Sequence, residues 1–246
     1  MKIEHTQVFN FEGALRGLRN PLESWDKSDS YYNFYDELPP GPYADKTPFV
    51  IGEKDLKLCQ KMIRADLCGP GEPNSKFLRQ IFVSCDITAP LYGWKEMATY
   101  GVGNVANSTS TMHKLKDTEI TTKCFEFGDF NNLTLDGNPA TPWIPAMSTY
   151  DIWEDFIKIL ESLRLKFIET NDTRYWKELI RLLPDSWLQT RTWSTNYAVL
   201  RNICYWRNPH KLKYEWVDNF IAWAKELPYA DELIFYQGEG NNVQNT

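Results

Sequence analysis

The stretch that decides the fold is LPDSWLQTRTWSTNYAVLRNICYWR, residues 183–207. Leu183-Pro184 closes whatever precedes it, because proline has no N–H and turns the residue before it away from helix. A polar run leads to Asn196, and from Asn196 to Arg207 the spacing predicts a helix. Asn196 and Arg207 are eleven positions apart. At roughly 100° per residue they fall within about 20° of each other on one helix face. An Arg and an Asn on one face can grip a phosphate and a pyrimidine edge together, since a guanidinium forks bidentately onto phosphate. The competing assignment is a surface Arg at a helix C-terminus, stabilised by the dipole.

Helices flank this stretch on both sides. Downstream, Trp216, Phe220, Trp223 and Leu227 keep helical register over Tyr214 to Leu227, and Pro228 stops it. Upstream, Ser148-Thr149-Tyr150-Asp151 resembles a capped helix start. Ile152, Phe156, Leu160, Leu163 and Phe167 continue it as a long helix, and a second helix runs from Arg174 to Leu183. The N-terminal half carries the strands. Thr6 to Asn10 reads as a short strand and Phe11 to Leu18 as a helix stopped by Asn20-Pro21. Glu53 to Leu67 is an amphipathic helix ended by Cys68-Gly69-Pro70-Gly71. Ile81-Phe82-Val83 marks a buried strand within Phe77 to Ile87. Pro90 suits a helix start, and that helix runs to about Tyr100, where Gly101-Val102-Gly103-Asn104 breaks it. Lys123 to Phe127 alternates as a strand does, and Asp129 to Pro145 reads as loop. The fold class is α+β, a mixed sheet with long helices. One domain is expected over 1–246. It contains a long irregular segment from Glu23 to Gly52, rich in tyrosine, and a polar, mobile tail from Gly238.

The chain has 246 residues, 42% hydrophobic and 24% charged, which is an ordinary globular composition. The formal net charge of -6 argues against non-specific nucleic-acid binding, which depends on neutralising phosphates. Aromatics make up 15%, with ten Trp, and a rich aromatic core is the favoured reading over planar-ligand binding. No apolar run approaches the roughly 18 residues of a membrane helix. MKIEHTQVFNFEG lacks a basic region followed by an apolar run, so a secretory signal is not expected. Five cysteines without a C-x-x-C pair read as free thiols of a reducing cytosol. Three histidines make a His-rich metal centre improbable. Neither a G-x-S-x-G elbow nor a P-loop is present. If the chain is an enzyme, a cofactor carries the hard chemistry. A second polar segment, Gly101 to His113, offers hydroxyls and amides to an anion or a base edge, or else satisfies its own backbone.

Leu183-Pro184, then Asn196, Leu200, Asn202, Arg207 and Glu215, resemble the C-terminal signature of the flavin-dependent thymidylate synthases, the ThyX family. Asp86-Ile87-Thr88-Ala89-Pro90-Leu91-Tyr92 is similar to the family's strand followed by an Ala-Pro helix start. Gly13-Ala14-Leu15-Arg16-Gly17 sits like its early alanine-rich helix. The resemblance covers most of the chain in order. It departs at the family's Arg-His-Arg hallmark, where Thr99, Tyr100 and Gly101 stand. Lys95 and Glu96 replace Arg-Gln, and Asn74 lies near the place of a flavin-contacting His. With one inserted residue, Asn107 and Ser110 fall on the family's Asn and nucleotide-binding Ser, and Met112 on its second Arg. Arg181 is the Arg before Leu-Pro, displaced by one.

The resemblance implies reductive methylation of dUMP to dTMP, with FAD as cofactor and NADPH and methylenetetrahydrofolate as co-substrates. It implies that Arg207, Ser110 and Arg181 hold dUMP. It places Asn196, Asn202, Asn107 and Lys95 toward the cofactor, assigns no protein nucleophile and no metal, and implies a cytoplasmic homotetramer with sites shared between subunits. The lost triplet supports an alternative: a divergent homologue that binds nucleotide or flavin, as a binding or regulatory protein, without making thymidylate.

Overall fold

The computed structural model describes residues 1–33, 43, 45–67, 74–128, 130, 132–135 and 147–238. Tyr35, the Pro39-to-Pro42 turn cluster, the Cys68-to-Gly71 helix stop, most of the Asp129–Pro145 loop and the tail beyond Gly238 lie outside those residues. The fold is α+β.

Strand β1 covers Lys2–Phe9 and helix α1 Phe11–Arg19. Two-residue strands β2 (Tyr31–Tyr32) and β3 (Phe49–Val50) pair antiparallel, so the segment predicted as irregular carries a short ladder at its described ends. Helix α2 is Glu53–Leu67, as its amphipathic spacing predicts. Strand β4 is Phe82–Pro90, preceded by a 3-10 turn over Ser75–Gln80. Helix α3 is Leu91–Met97, strand β5 Val105–Ser108 and helix α4 Thr111–Lys114. Strands β6 (Thr134–Leu135) and β7 (Met147–Ser148) form a second short ladder. Helix α5 is Thr149–Thr170 and α6 is Thr173–Leu182. Strand β8 is Leu188–Asn196, α7 is Tyr197–Arg207 and α8 is Ala222–Lys225. Two π-helical segments, Tyr214–Ile221 and Ala230–Ile234, flank α8.

The sheet of four strands is antiparallel, in the order β1-β4-β8-β5. Its central pair is held in register by Thr88 against Thr190, hydroxyl to hydroxyl at 2.7 Å, and by the Thr192 hydroxyl donating to Asp86 at 2.6 Å. Two corrections follow. β8 lies in the C-terminal half, where helices alone were expected. Lys123 to Phe127 is a 3-10 turn with one bridge from Phe125 to Trp187, not a strand. Each has its own local cause. The run Gln189-Thr190-Arg191-Thr192 has no apolar face to show period two. Lys123 to Phe127 alternates in polarity but pairs at a single residue.

The chain divides into two compact units. The first comprises Met1, 88–97 and 108–191. Its core is Leu115, Ile120, Phe125, Ile157, Leu160, Leu179 and Trp187, with α5 packed on α6. α5 starts where its sequence predicts: Ser148 accepts from the Asp151 N–H at 3.1 Å while Asp151 accepts from the Ser148 N–H at 3.2 Å.

The second unit comprises 2–87, 98–107 and 192–246. Tyr197, Trp216, Phe220 and Tyr229 are fully buried in it. Phe11 meets Tyr197 and Tyr229 edge-on, and the Tyr197 hydroxyl donates to the Pro228 carbonyl at 2.6 Å. Asp55 is completely buried beside Arg19 and accepts from Arg19 Nε at 2.7 Å and from the Ser30 hydroxyl at 2.6 Å. In β1, His5 sits at φ 52°, a left-handed conformation rare for a residue with a Cβ.

Candidate functional site

In the second unit the site grows from α7. Its N-cap is Asn196, whose Oδ1 accepts from the Val199 N–H at 3.1 Å. That side chain satisfies one of the four N–H groups a helix start leaves open. Asn196 is therefore extended (φ -145°, ψ 167°), and the shared-face geometry expected of it with Arg207 does not apply. Its amide also lies close to Gly103, which has φ 82°. A Cβ added at Gly103 would stand 3.1 Å from Asn196 Nδ2, so both backbone conformation and space favour glycine there.

Arg207 ends α7. Its guanidinium carbon is 4.7 Å from the Trp216 ring centre and 5.2 Å from that of Tyr100. Its Nη2 donates to the Thr99 hydroxyl at 3.5 Å. Thr99 and Tyr100, which the sequence resemblance sets in place of a cationic triplet, are thus Arg207's own neighbours. Among the described residues of this unit, Asn104 Oδ1, Thr195 Oγ1 and Trp216 Nε1 are buried without a hydrogen-bond partner. Groups of this kind call for an ordered water or a ligand atom.

Asn202 is exposed on α7 and lines a cavity of about 890 Å³ with Tyr205, Trp206, Lys225, Asp231 and Phe235. Tyr205 and Trp206 meet edge-on at 5.1 Å and are about two-thirds exposed. The π-helical segments contribute Ile221, Asp231 and Ile234 to the wall. Wide turns of this kind recur at functional sites. Asn107 is exposed on β5.

The other expected residues belong to the first unit. Ser110 caps α4: its hydroxyl accepts from the His113 N–H at 3.3 Å and lies 2.8 Å from His113 Nδ1. Lys95 pairs with Asp185 at 2.6 Å, both largely exposed. Arg181 is exposed in the last turn of α6. The same unit holds a cluster that sequence reasoning missed. Arg191 lies 4.3 Å over the Trp94 ring. Its Nε donates to Gln189 Oε1 at 3.0 Å, and Gln189 Nε2 donates to the Thr109 carbonyl at 2.8 Å. The signal for it was the alternation Gln189, Arg191, Trp193, which places the first two on one side of a strand.

The described residues contain no group of three or more His, Cys, Asp or Glu able to hold a metal, and no helix long and apolar enough to cross a membrane.

The second unit thus carries an Arg near two aromatic rings and, separately, a cavity of about 890 Å³. Structural comparison defines the fold further. The flavin-dependent thymidylate synthase ThyX of Helicobacter pylori, complexed with FAD and dUMP, superposes with a TM-score of 0.60 at 17% identity, covering 96% of this chain and 98% of that one. A second H. pylori ThyX structure with FAD and dUMP gives 0.61 at 16%, covering 96% and 97%. The UMP/dUMP methylase PolB of Streptomyces cacaoi, bound with 5-Br dUMP, gives 0.55 at 13%, covering 95% of each. No protein-family model matches the chain, and no curated protein matches it. The fold is a divergent ThyX-like fold.

Proposed function

We propose that the protein is a flavin-dependent enzyme that reductively methylates dUMP to dTMP, with NADPH and methylenetetrahydrofolate as co-substrates. The observation that carries this reading is Arg207, stacked on Trp216 and Tyr100 at the end of α7 in a chain with a ThyX-like fold. H. pylori ThyX was solved with FAD and dUMP, and PolB with a brominated dUMP.

In this reading Arg207 grips the dUMP phosphate, with Ser110 and Arg181 as further nucleotide contacts. The residues fit a flavin on two counts. The cavity of about 890 Å³ has a size typical of cofactor pockets. Its exposed Tyr205 and Trp206 faces suit a planar ring, with the Asn202 amide to read a ring edge. Bound there, FAD would supply the hydride, which removes any need for a protein nucleophile. The resemblance also assigns Lys95, Asn107 and Asn196 to the cofactor; the Asn196 carbonyl is already engaged as a helix cap, which leaves its NH2 to donate. The assembly is a homotetramer with shared sites, in the cytoplasm.

The test is direct. Purified protein should be yellow, with a flavin absorption spectrum, and should form dTMP from dUMP when given methylenetetrahydrofolate and NADPH. Thr99, Tyr100 and Gly101 favour a second reading, a homologue that binds nucleotide without catalysis. Colourless protein that dUMP still stabilises against heat would select it and sink the first.

A further inference from the structure

Among the described residues, Arg191 has no counter-charge. It is half-buried on β8, and burial alone pulls its pKa below the ordinary arginine value. No carboxylate among the described residues pairs with it. Desolvating a guanidinium without a counter-charge is unfavourable, and an arriving anion would offset that cost.

The group is also held in place. The Trp94 ring fixes its plane from one face, at 4.3 Å. Trp94 is itself anchored, its Nε1 donating to the Gln189 carbonyl at 2.9 Å. Gln189 fixes the edge: its Oε1 accepts from Arg191 Nε at 3.0 Å. The orientation of that amide is set because its NH2 is committed to the Thr109 carbonyl and, at 3.4 Å, to the Thr111 hydroxyl. One edge of the fork is therefore spent and the Nη edge is not. All these residues belong to the first unit. A guanidinium locked by stacking and by one neutral acceptor, with two parallel N–H groups left over, is pre-organised for a phosphate oxygen pair.

We propose that Arg191, oriented by Trp94 and Gln189, is a phosphate-binding residue of this protein. The ligand is a phosphate ester, and two sources share that chemistry: a nucleotide monophosphate and the diphosphate of a dinucleotide cofactor. The proposal rests on this chain's own residues and does not require the methylation reaction.

The probe is inorganic phosphate, titrated against the full-length protein by calorimetry. Wild type should bind it. Arg191→Met keeps the bulk on Trp94 and loses the charge, and its affinity should fall roughly tenfold or more, as expected for a lost charged hydrogen-bonding pair. Arg191→Lys should recover part of the loss. Gln189→Glu should also abolish binding, because it installs a resident carboxylate at the same guanidinium. Circular dichroism of each variant should match wild type, which separates lost binding from lost fold. The source follows from pairs of ligands: if Arg191→Met erases the preference for dUMP over deoxyuridine, the monophosphate is the ligand. If it erases that for FAD over riboflavin, the diphosphate is. Phosphate binding equal in wild type and Arg191→Met, or absent from both, overturns the assignment. Neither result depends on whether dTMP forms.

Discussion

The Arg207 guanidinium packs 5.2 Å from the ring of Tyr100, a residue far from helix α7 in sequence but beside it in the fold. An Arg or His there would set like charge against Arg207. The tyrosine face instead attracts it, a contact of about 0.5–2 kcal/mol depending on desolvation.

Arg207→Ala should lower dUMP affinity by roughly one to two orders of magnitude, because hydrogen bonds to charged groups contribute ~1.5–3 kcal/mol. Arg207→Lys should recover part, since an ammonium offers no planar fork. The Ala variant should also lose about 0.5–2 kcal/mol of stability with the stacking on Trp216 and Tyr100. Calorimetric titration and chemical denaturation read the two effects separately. Wild-type dUMP affinity in the Ala variant would remove Arg207 from the nucleotide site.

Asn196→Ala should cost about 1 kcal/mol by removing the α7 N-cap. Asn196→Asp should keep that stability, because its carboxylate still accepts from the Val199 N–H. A ligand role for the Asn196 NH2 predicts that Asp, though stable, weakens ligand binding. Equal binding by Asp and wild type would leave Asn196 as a cap alone.

Asp55 should shape the acid limb of stability. Burial pushes its carboxyl up, but hydrogen bonds from Ser28, Ser30 and Arg19 outweigh it and hold the carboxyl below its ordinary 3.8. A depressed folded pKa gives stability that is present above the unfolded value and lost as pH falls through the folded one. Asp55→Asn should flatten the fall in stability below about pH 4. It should also cost about 3–5 kcal/mol at neutral pH by leaving Arg19 buried and uncompensated. Urea melts from pH 3 to 7 measure both, and an unchanged acid slope in the variant would exclude Asp55 as its source.

The thiols of Cys85 and Cys204 are pushed up to about 12 by burial, and that of Cys59 is raised for the same reason. At pH 8 almost none of each is thiolate, the reactive form. Iodoacetamide followed by peptide mass spectrometry should find these three unmodified in native protein and modified in urea. Fast native labelling at Cys204 would mean that α7 opens.

The sequence was informative wherever a local rule decides the outcome. α2 spans Glu53–Leu67 because Leu56, Cys59, Met62 and Ile63 share a face, and α5 begins where Ser148 and Asp151 cap each other. β8 was not legible, since residues 189–192 are all polar and Asp86, the partner of Thr192, lies 106 positions away. The Tyr214–Ile221 segment shows helical register for Trp216 and Phe220, yet it winds as a π-helix, whose hydrogen bonds span one residue more than an α-helix's, a difference that apolar spacing does not resolve. Of the site, Arg207 was visible as a residue, but its contacts with Thr99 and Trp216 are tertiary. Arg191 was hidden because its meaning depends on having Trp94 beneath it and no acid beside it.

β1 is an outer strand of the four-stranded sheet, and His5 in its middle takes φ 52°. A straight outer strand would offer an unbroken row of N–H and C=O groups to any other chain. The left-handed residue breaks that row, and Lys2 and Glu4 add charge beside it. The left-handed residue at His5 thus makes this edge a poor template for another strand.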